Sequence, residues 1–253
     1  MNIHAVQFDI QWEEPEVNRM KIRSMLNDIS DSDLIVLPEM FTTGFSMRPE
    51  VVAERYTPEM PTLLWMLEIS KEKNAAIIGS VSTKDGDEYY NRCLIAFPNG
   101  EHLYYDKINL FSIGKESEHY KAGDKELVFE WRGWKIKPQI CFDLRFPENA
   151  RNSILEGEVS YDVLLYVANW PSVRAFPWST LLKARAIENQ AYTIGVNRVG
   201  SDREGIEHSG DSVILNFKGE ALRELPSHQE GILHCFLNPE ELHEFRKKFP
   251  VLR

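Results

Sequence analysis

Three uninterrupted apolar runs limit the architectures open to this chain more than any other feature. They are "DLIVLPEM" (33–40), "AAIIGSVS" (75–82) and "DVLLYVAN" (162–169). Each is too short for a helix of ordinary length and apolar at successive positions, so each must be a strand covered on both faces. Such strands need layers above and below them. Each run also ends in polar sequence, where functional groups collect in sheets of this kind.

The rest of the chain supplies the layers. "IHAVQFDI", "AYTIGVNRV", "SVILNF" and "GILHCFL" read as further strands. "RCLIAF" and "HLYYDK" flank Pro98-Asn99-Gly100, and "LVFEW" and "WKIKPQIC" flank Arg132-Gly133, so both pairs predict hairpins. Residues 16–29 predict a helix with Ile22, Met25, Leu26 and Ile29 on its inner stripe. Residues 61–73 predict another, with Leu63, Leu64 and Leu67 inward, and 176–189 a third, with Leu181, Ala184 and Ile187 inward. Asn238-Pro239 opens a last helix through about Lys248, with Asn238 as N-cap. No stretch reads as a linker or repeat. The expectation is one α/β domain over residues 1–253, with mixed sheets and helices outside.

Charge and cysteine usage narrow the function. The net charge is −10, and the basic cluster Arg246-Lys247-Lys248 follows Glu241 and Glu244, so no basic stripe suits a nucleic acid. Cys93, Cys141 and Cys235 are far apart with no CxxC pair, which argues against structural zinc and for reduced thiols in the cytoplasm. "MNIHAVQFDIQWEE" lacks the pattern of a secretory leader, and no apolar run reaches membrane-spanning length. Neither a membrane nor a metal or organic cofactor is expected, since no Walker, Rossmann or His-Glu-x-x-His pattern occurs.

Three strand ends carry reactive groups: "LIVLP" delivers Glu39, "HLYYD" delivers Lys107, and "KPQI" delivers Cys141. A thiol is a poor nucleophile until it loses its proton. A carboxylate sheltered by Met40 and Phe41 can take that proton, and an ammonium can hold the oxyanion formed when a carbonyl is attacked. Together they make a cysteine hydrolase that needs no histidine. Each has a plainer reading: an inert buried cysteine, a helix-start carboxylate and a charged strand end.

The order and separation of "LPEMFTTGF", "YDKINLF" and "ICFDLRFPE" resemble the nitrilase (carbon–nitrogen hydrolase) superfamily, and "VANWP" and "LLKARAIENQAY" extend the likeness over nearly the whole chain. The segments "FTTGF", "DLRFP" and "ARAIENQAY" look most like the ω-amidase branch. The resemblance implies an α-β-β-α sandwich: two mixed β-sheets packed face to face, with helices on both outer sides. It makes Cys141 the nucleophile, Glu39 the base and Lys107 the oxyanion stabiliser, with the Phe142 N–H as second donor. It also implies a second glutamate, for which Glu116 and Glu118 compete; counting back from the Gly123 turn, Glu116 fits better. A homodimer and a small-molecule amide substrate follow from the same likeness. The implied substrates are ω-amides of short 2-oxo dicarboxylic acids, such as 2-oxoglutaramate and 2-oxosuccinamate, hydrolysed through a thioester.

A distal substrate carboxylate wants a cation, and Arg174, Arg145 and Lys115 are the candidates. Arg145 also admits a structural reading, an ion pair with Glu148, in which it and Asp143 order the turn after the cysteine. Asn169 and Trp170 are expected to line the pocket, against the alternative of a helix cap and a core tryptophan. His119 is either a substrate contact or a surface histidine. A nitrilase, an N-carbamoyl hydrolase or an aliphatic amidase would use the same three groups, and an inactive binding relative is a rival from another class. A papain-like hydrolase is set aside, because its Cys-Gly-x-Cys-Trp signature is absent.

Overall fold

A computed structural model of the protein describes residues 1–155 and 157–252. Alternation along the apolar runs builds two layers at once. Leu34 and Val36 point to one side of their strand, while Ile35 and Leu37 point to the other, and all four are fully buried. The first set meets a second sheet and the second set meets helices.

The first sheet runs Gly231–Phe236, Asn2–Gln7, Leu34–Val36, Ala76–Asp85, Glu88–Ala96 and His102–Asp106 from edge to edge, with Glu54–Arg55 paired alongside Ala76–Asp85. Its centre is parallel, with Ile3 opposite Leu34 and Leu34 opposite Ala76. Its outer pairs are antiparallel. The second sheet runs Ala221–Glu224, Val213–Leu215, Tyr192–Asn197, Val163–Ala168, Trp134–Ile140 and Phe129–Trp131. It too is mixed, with Val163–Ala168 parallel to both neighbours. Ile78, Cys93 and Ile95 of the first sheet share one core with Ile136, Val167 and Val196 of the second.

Helices Pro15–Leu26 and Pro61–Lys73 cover the outer face of the first sheet through Ile22, Leu26, Leu63, Met66 and Ile69. Helix Ala175–Asn189 covers the second through Trp178 and Leu182, which press so closely on Gly195 that a Cβ there would lie 2.4 Å from a Leu182 methyl. Helix Pro239–Lys248 starts as expected, with Asn238 accepting from the Glu240 N–H. The α-β-β-α sandwich read from the sequence is the observed fold, and both expected hairpins form.

Three details differ from expectation. The first helix ends at Leu26, and Ile29 packs from beyond it. Leu64 is exposed, and Met66 and Ile69 join Leu63 inward, because adjacent residues on a helix diverge by about 100°. Ile187 is exposed as well, with Leu181 and Ala184 only partly buried. Steps of three drift about 60° round a helix each time, so the true inner face is Trp178, Leu182, Arg185, Ala186 and Asn189.

Candidate active site

The chain after Val36 keeps one more ladder bond, from the Leu37 N–H to the Ile78 carbonyl, before Pro38 ends the pairing. It then turns sharply. Met40 has φ of +41°, and its N–H donates to Ser80 Oγ at 2.9 Å, which fixes Glu39 beside the inner face of the first sheet. Lys107 follows strand His102–Asp106. Its own N–H donates to the Asn91 carbonyl, and its carbonyl accepts from the Gly123 N–H at 2.9 Å. A Cβ on Gly123 would lie 2.3 Å from the Asp106 carbonyl oxygen, so only glycine lets the loop lie against the backbone at Lys107.

Cys141 ends strand Trp134–Ile140 of the other sheet and opens a short 3-10 helix, Cys141–Arg145. Its φ of +45° is a strained conformation for a residue with a Cβ, typical of positions whose side chain must be aimed. The strain is held by Asp143, which is fully buried and accepts from the Ile140 N–H (2.9 Å), the Asn109 N–H and Nδ2 (both 2.9 Å) and the Tyr105 hydroxyl (2.8 Å). Asp143 thereby ties the cysteine turn to the segment just after Lys107. The Phe142 N–H lies in the first turn of the 3-10 helix, where backbone donors have no carbonyl partner within the helix.

Glu39, Lys107 and Glu116 converge although they come from separate segments. Lys107 Nζ lies 2.8 Å from Glu39 Oε1, and 3.0 and 2.9 Å from Glu116 Oε1 and Oε2. All three side chains are fully buried. Glu39 Oε2 accepts the Asn169 N–H at 2.8 Å, Glu116 Oε2 accepts the Phe111 N–H at 2.7 Å, and Asn91 Nδ2 donates to Oε1 of both carboxylates. Burial works against the Lys107 ammonium, but the Glu116 and Glu39 carboxylates outweigh it and hold the lysine pKa above its ordinary value. Burial raises the Glu116 carboxyl, opposed by Lys107 and reinforced by Glu39. Burial also pushes the Cys141 thiol well above the ordinary thiol range; the Glu39 charge adds to this and Lys107 opposes it. Burial thus favours the thiol over the thiolate at Cys141.

Cys141 and Phe142 open onto a cavity of about 950 Å³ walled by Trp12, Phe45, Met47, Phe111 and Trp170. Asn169 and Trp170 line it as expected, and Trp170 Nε1 donates to the Arg174 carbonyl at 2.7 Å. Arg145, Arg174 and Lys115 all reach the cavity. The Arg145 guanidinium stands over the Trp170 ring and that of Arg174 over the Phe111 ring, each at 5.3 Å. Arg145 lines the cavity and, among the described residues, makes no ion pair with Glu148. Of the competing glutamates, Glu116 is buried against Lys107, whereas Glu118 and His119 are exposed. Sequence reasoning missed Asn91 and Ser80. Both stand on the inner face of their strands in step with apolar neighbours, and that inward polar placement was the signal. Among the described residues no cluster of His, Cys, Asp or Glu gathers as a metal ion would require.

This fold, with three buried charged groups gathered beside a cysteine, fits a hydrolase of the carbon–nitrogen class. The carbon-nitrogen hydrolase family model matches residues 2–247, and the chain belongs to that family. Among curated relatives, the omega-amidase YafV of Yersinia enterocolitica is 44% identical over 251 residues, covering 99% of this chain and 95% of the relative. A 2-oxoglutaramate amidase of Bacillus subtilis is 33% identical over 253 residues, covering 98% and 95%. The crystal structure of XC1258 from Xanthomonas campestris, a CN-hydrolase superfamily protein with an arsenic adduct in its active site, superposes with a TM-score of 0.96 at 40% identity, covering 99% and 95% of the two chains.

Proposed function

We propose that the protein is an ω-amidase that hydrolyses the terminal amide of short 2-oxo dicarboxylic acid monoamides, such as 2-oxoglutaramate and 2-oxosuccinamate, to the dicarboxylate and ammonia. The observation that carries the chemistry is Cys141 at a cavity floor, with Glu39, Lys107 and Glu116 buried directly behind it. The likeness to omega-amidase YafV and 2-oxoglutaramate amidase supports the substrate class.

In this reading Glu39 takes the thiol proton as Cys141 Sγ attacks the amide carbonyl carbon. The carbonyl π pair moves to oxygen, where Lys107 Nζ and the Phe142 N–H hold it. The oxyanion re-forms the carbonyl, the C–N bond breaks, and Glu39 returns its proton to the departing ammonia. A thioester remains on Cys141. Water then gives a proton to Glu39 and attacks the thioester; collapse of that second intermediate releases the acid and regenerates the thiol. Glu116 holds the Lys107 ammonium in place through both of its oxygens.

The walls of the cavity suit an acyl chain, and Arg145, Arg174 and Lys115 on those walls offer cations for a substrate carboxylate. An aliphatic amidase or nitrilase for neutral substrates would have no use for cations on these walls. The protein acts in the cytoplasm in this reading, consistent with three free cysteines and with the absence, among the described residues, of a helix able to cross a membrane. It works as a homodimer, for which the exposed Phe176 and Ile187 of helix Ala175–Asn189 offer apolar surface.

The test is ammonia release from 2-oxoglutaramate, a neutral aliphatic amide, a nitrile and an N-carbamoyl amino acid, compared at equal concentration. The 2-oxo acid amide is expected to be preferred in kcat/KM by at least an order of magnitude. Preference for the nitrile or the carbamoyl compound would overturn the assignment.

A further inference from the structure

We infer that Asn91 is a positioning residue that keeps Glu39 and Glu116 ionised side by side, so that Glu39 is free to take the Cys141 proton; this rests on the catalytic reading above. Two carboxylates and one ammonium share a fully buried space, which leaves one negative charge uncompensated by Lys107. Like charges this close normally drive one carboxyl to hold a proton. If Glu39 held it, the thiol would have no base.

The Asn91 side chain answers that problem by geometry. Its Nδ2 has two hydrogens and stands 2.8 Å from Glu39 Oε1 and 2.9 Å from Glu116 Oε1. Each hydrogen bond favours the charged form of the carboxylate it reaches. The amide cannot turn over, because its Oδ1 accepts from the Ser80 hydroxyl at 2.8 Å, and Ser80 Oγ in turn accepts the Met40 N–H. A flipped amide would set a carbonyl oxygen against two carboxylates. The same residue's backbone carbonyl accepts the Lys107 N–H, so Asn91 holds all three charged residues from one strand position. It is fully buried, and it does not line the cavity onto which Cys141 opens.

The titratable groups facing this cluster are Glu39, Glu116, Lys107 and Cys141, with Tyr120, just past helix Glu116–His119, under the charge of both glutamates and Asp143 of the cysteine turn under that of Lys107. None of them supplies a neutral donor to both carboxylates.

The test is the rate at which iodoacetamide alkylates Cys141, read on the Cys141 peptide by mass spectrometry across a pH series, in the wild type, Asn91→Ala and Ser80→Ala. This readout needs no amide substrate. Losing one hydrogen bond to a carboxylate should move the acid limb of the Asn91→Ala profile up by about one pH unit. Ser80→Ala, which frees the amide to turn and also removes the acceptor of the Met40 N–H, should move it less and in the same direction. With 2-oxoglutaramate, kcat should fall while KM holds. A folded Asn91→Ala protein with an unmoved limb, or slowed equally at every pH, would overturn the inference. If Asn91→Ala does not fold, an unmoved limb in Ser80→Ala overturns it instead. A shifted limb in a protein that releases no ammonia from 2-oxoglutaramate would uphold the inference and remove the amidase reading.

Discussion

Lys107 Nζ stands 2.8 Å from Glu39 Oε1, across 68 positions of sequence, with both side chains closed off from solvent. A buried ion pair of this kind does little for stability, because desolvation offsets most of the Coulomb gain. Breaking it is another matter, since a lone buried charge remains. Here the pair has a third member, Glu116, which grips the same ammonium with both oxygens. The arrangement makes sense as a device for pointing one ammonium at one place.

Lys107→Met tests that device. The variant loses the side-chain oxyanion donor, so kcat should fall by about two to three orders of magnitude. It also leaves two carboxylates without a cation, so its thermal midpoint should drop, in line with the roughly 3–5 kcal/mol cost of breaking a buried pair. Steady-state kinetics and a melting curve check both effects. Activity within a few-fold of wild type would remove Lys107 from the mechanism.

Glu116→Gln and Glu118→Gln form a contrast set by burial. Glu116 is enclosed against Lys107, and its neighbour two positions on is exposed. The Glu116 variant should lose about 10- to 100-fold in kcat, the size of a charge-assisted hydrogen bond. The Glu118 variant should match wild type. The reverse outcome would mean that the wrong glutamate has been assigned to the lysine.

Arg145→Ala and Arg174→Ala probe the cationic wall of the cavity. Each should raise KM for 2-oxoglutaramate by about tenfold or more, on the scale of a hydrogen bond to a charged group, and leave a neutral amide nearly unaffected. Equal losses on charged and neutral substrates would show that the arginines shape the wall and do not read the carboxylate.

The two large sheets were legible because their strands alternate or run apolar without a break, and two layers are the only way to cover such strands. Glu39, Lys107 and Cys141 each had a plainer reading when taken singly, and only the joint pattern of "LPEMFTTGF", "YDKINLF" and "ICFDLRFPE" with its family resemblance picked them out together. The residues missed were those whose role depends on register. Asn91 sits in step with Cys93 and Ile95 on the inner face of its strand, and Ser80 in step with Ile78. Read singly they are polar residues in a strand; only the pairing of strands sets them against Glu39. The inner faces of two helices were misread for a simpler reason. Leu64 and Ile187 are apolar but lie off the 3.6-residue stripe, and an apolar side chain exposed on a helix is ordinary. The hairpin joining Ala76–Asp85 to Glu88–Ala96 turns at Asp85-Gly86-Asp87, a signal present in the sequence and passed over.

Stability should fall on mild acidification through His4. Burial first, and the stacked His234 second, depress its pKa from 6.5 to about 4, against the pull of Asp31. Above pH 6.5 the ring is neutral both folded and unfolded, and its contribution is fully present. As pH falls from 6.5 towards 4, the unfolded chain binds a proton that the folded one refuses, so stability declines across that window. Melting curves at pH 7 and pH 4.5 should show a smaller difference in His4→Gln than in wild type. An equal or larger difference would assign the acid sensitivity elsewhere.

The account stands on a covalent bond to one sulfur. Rapid acid quenching of the enzyme during turnover of 2-oxoglutaramate, followed by mass spectrometry of its peptides, should find the substrate's acyl group on the peptide containing Cys141 and on neither of those containing Cys93 and Cys235. Cys141→Ala should carry no adduct and release no ammonia. Ammonia release by that variant at the wild-type rate, or an acyl group found only on another residue, would contradict it.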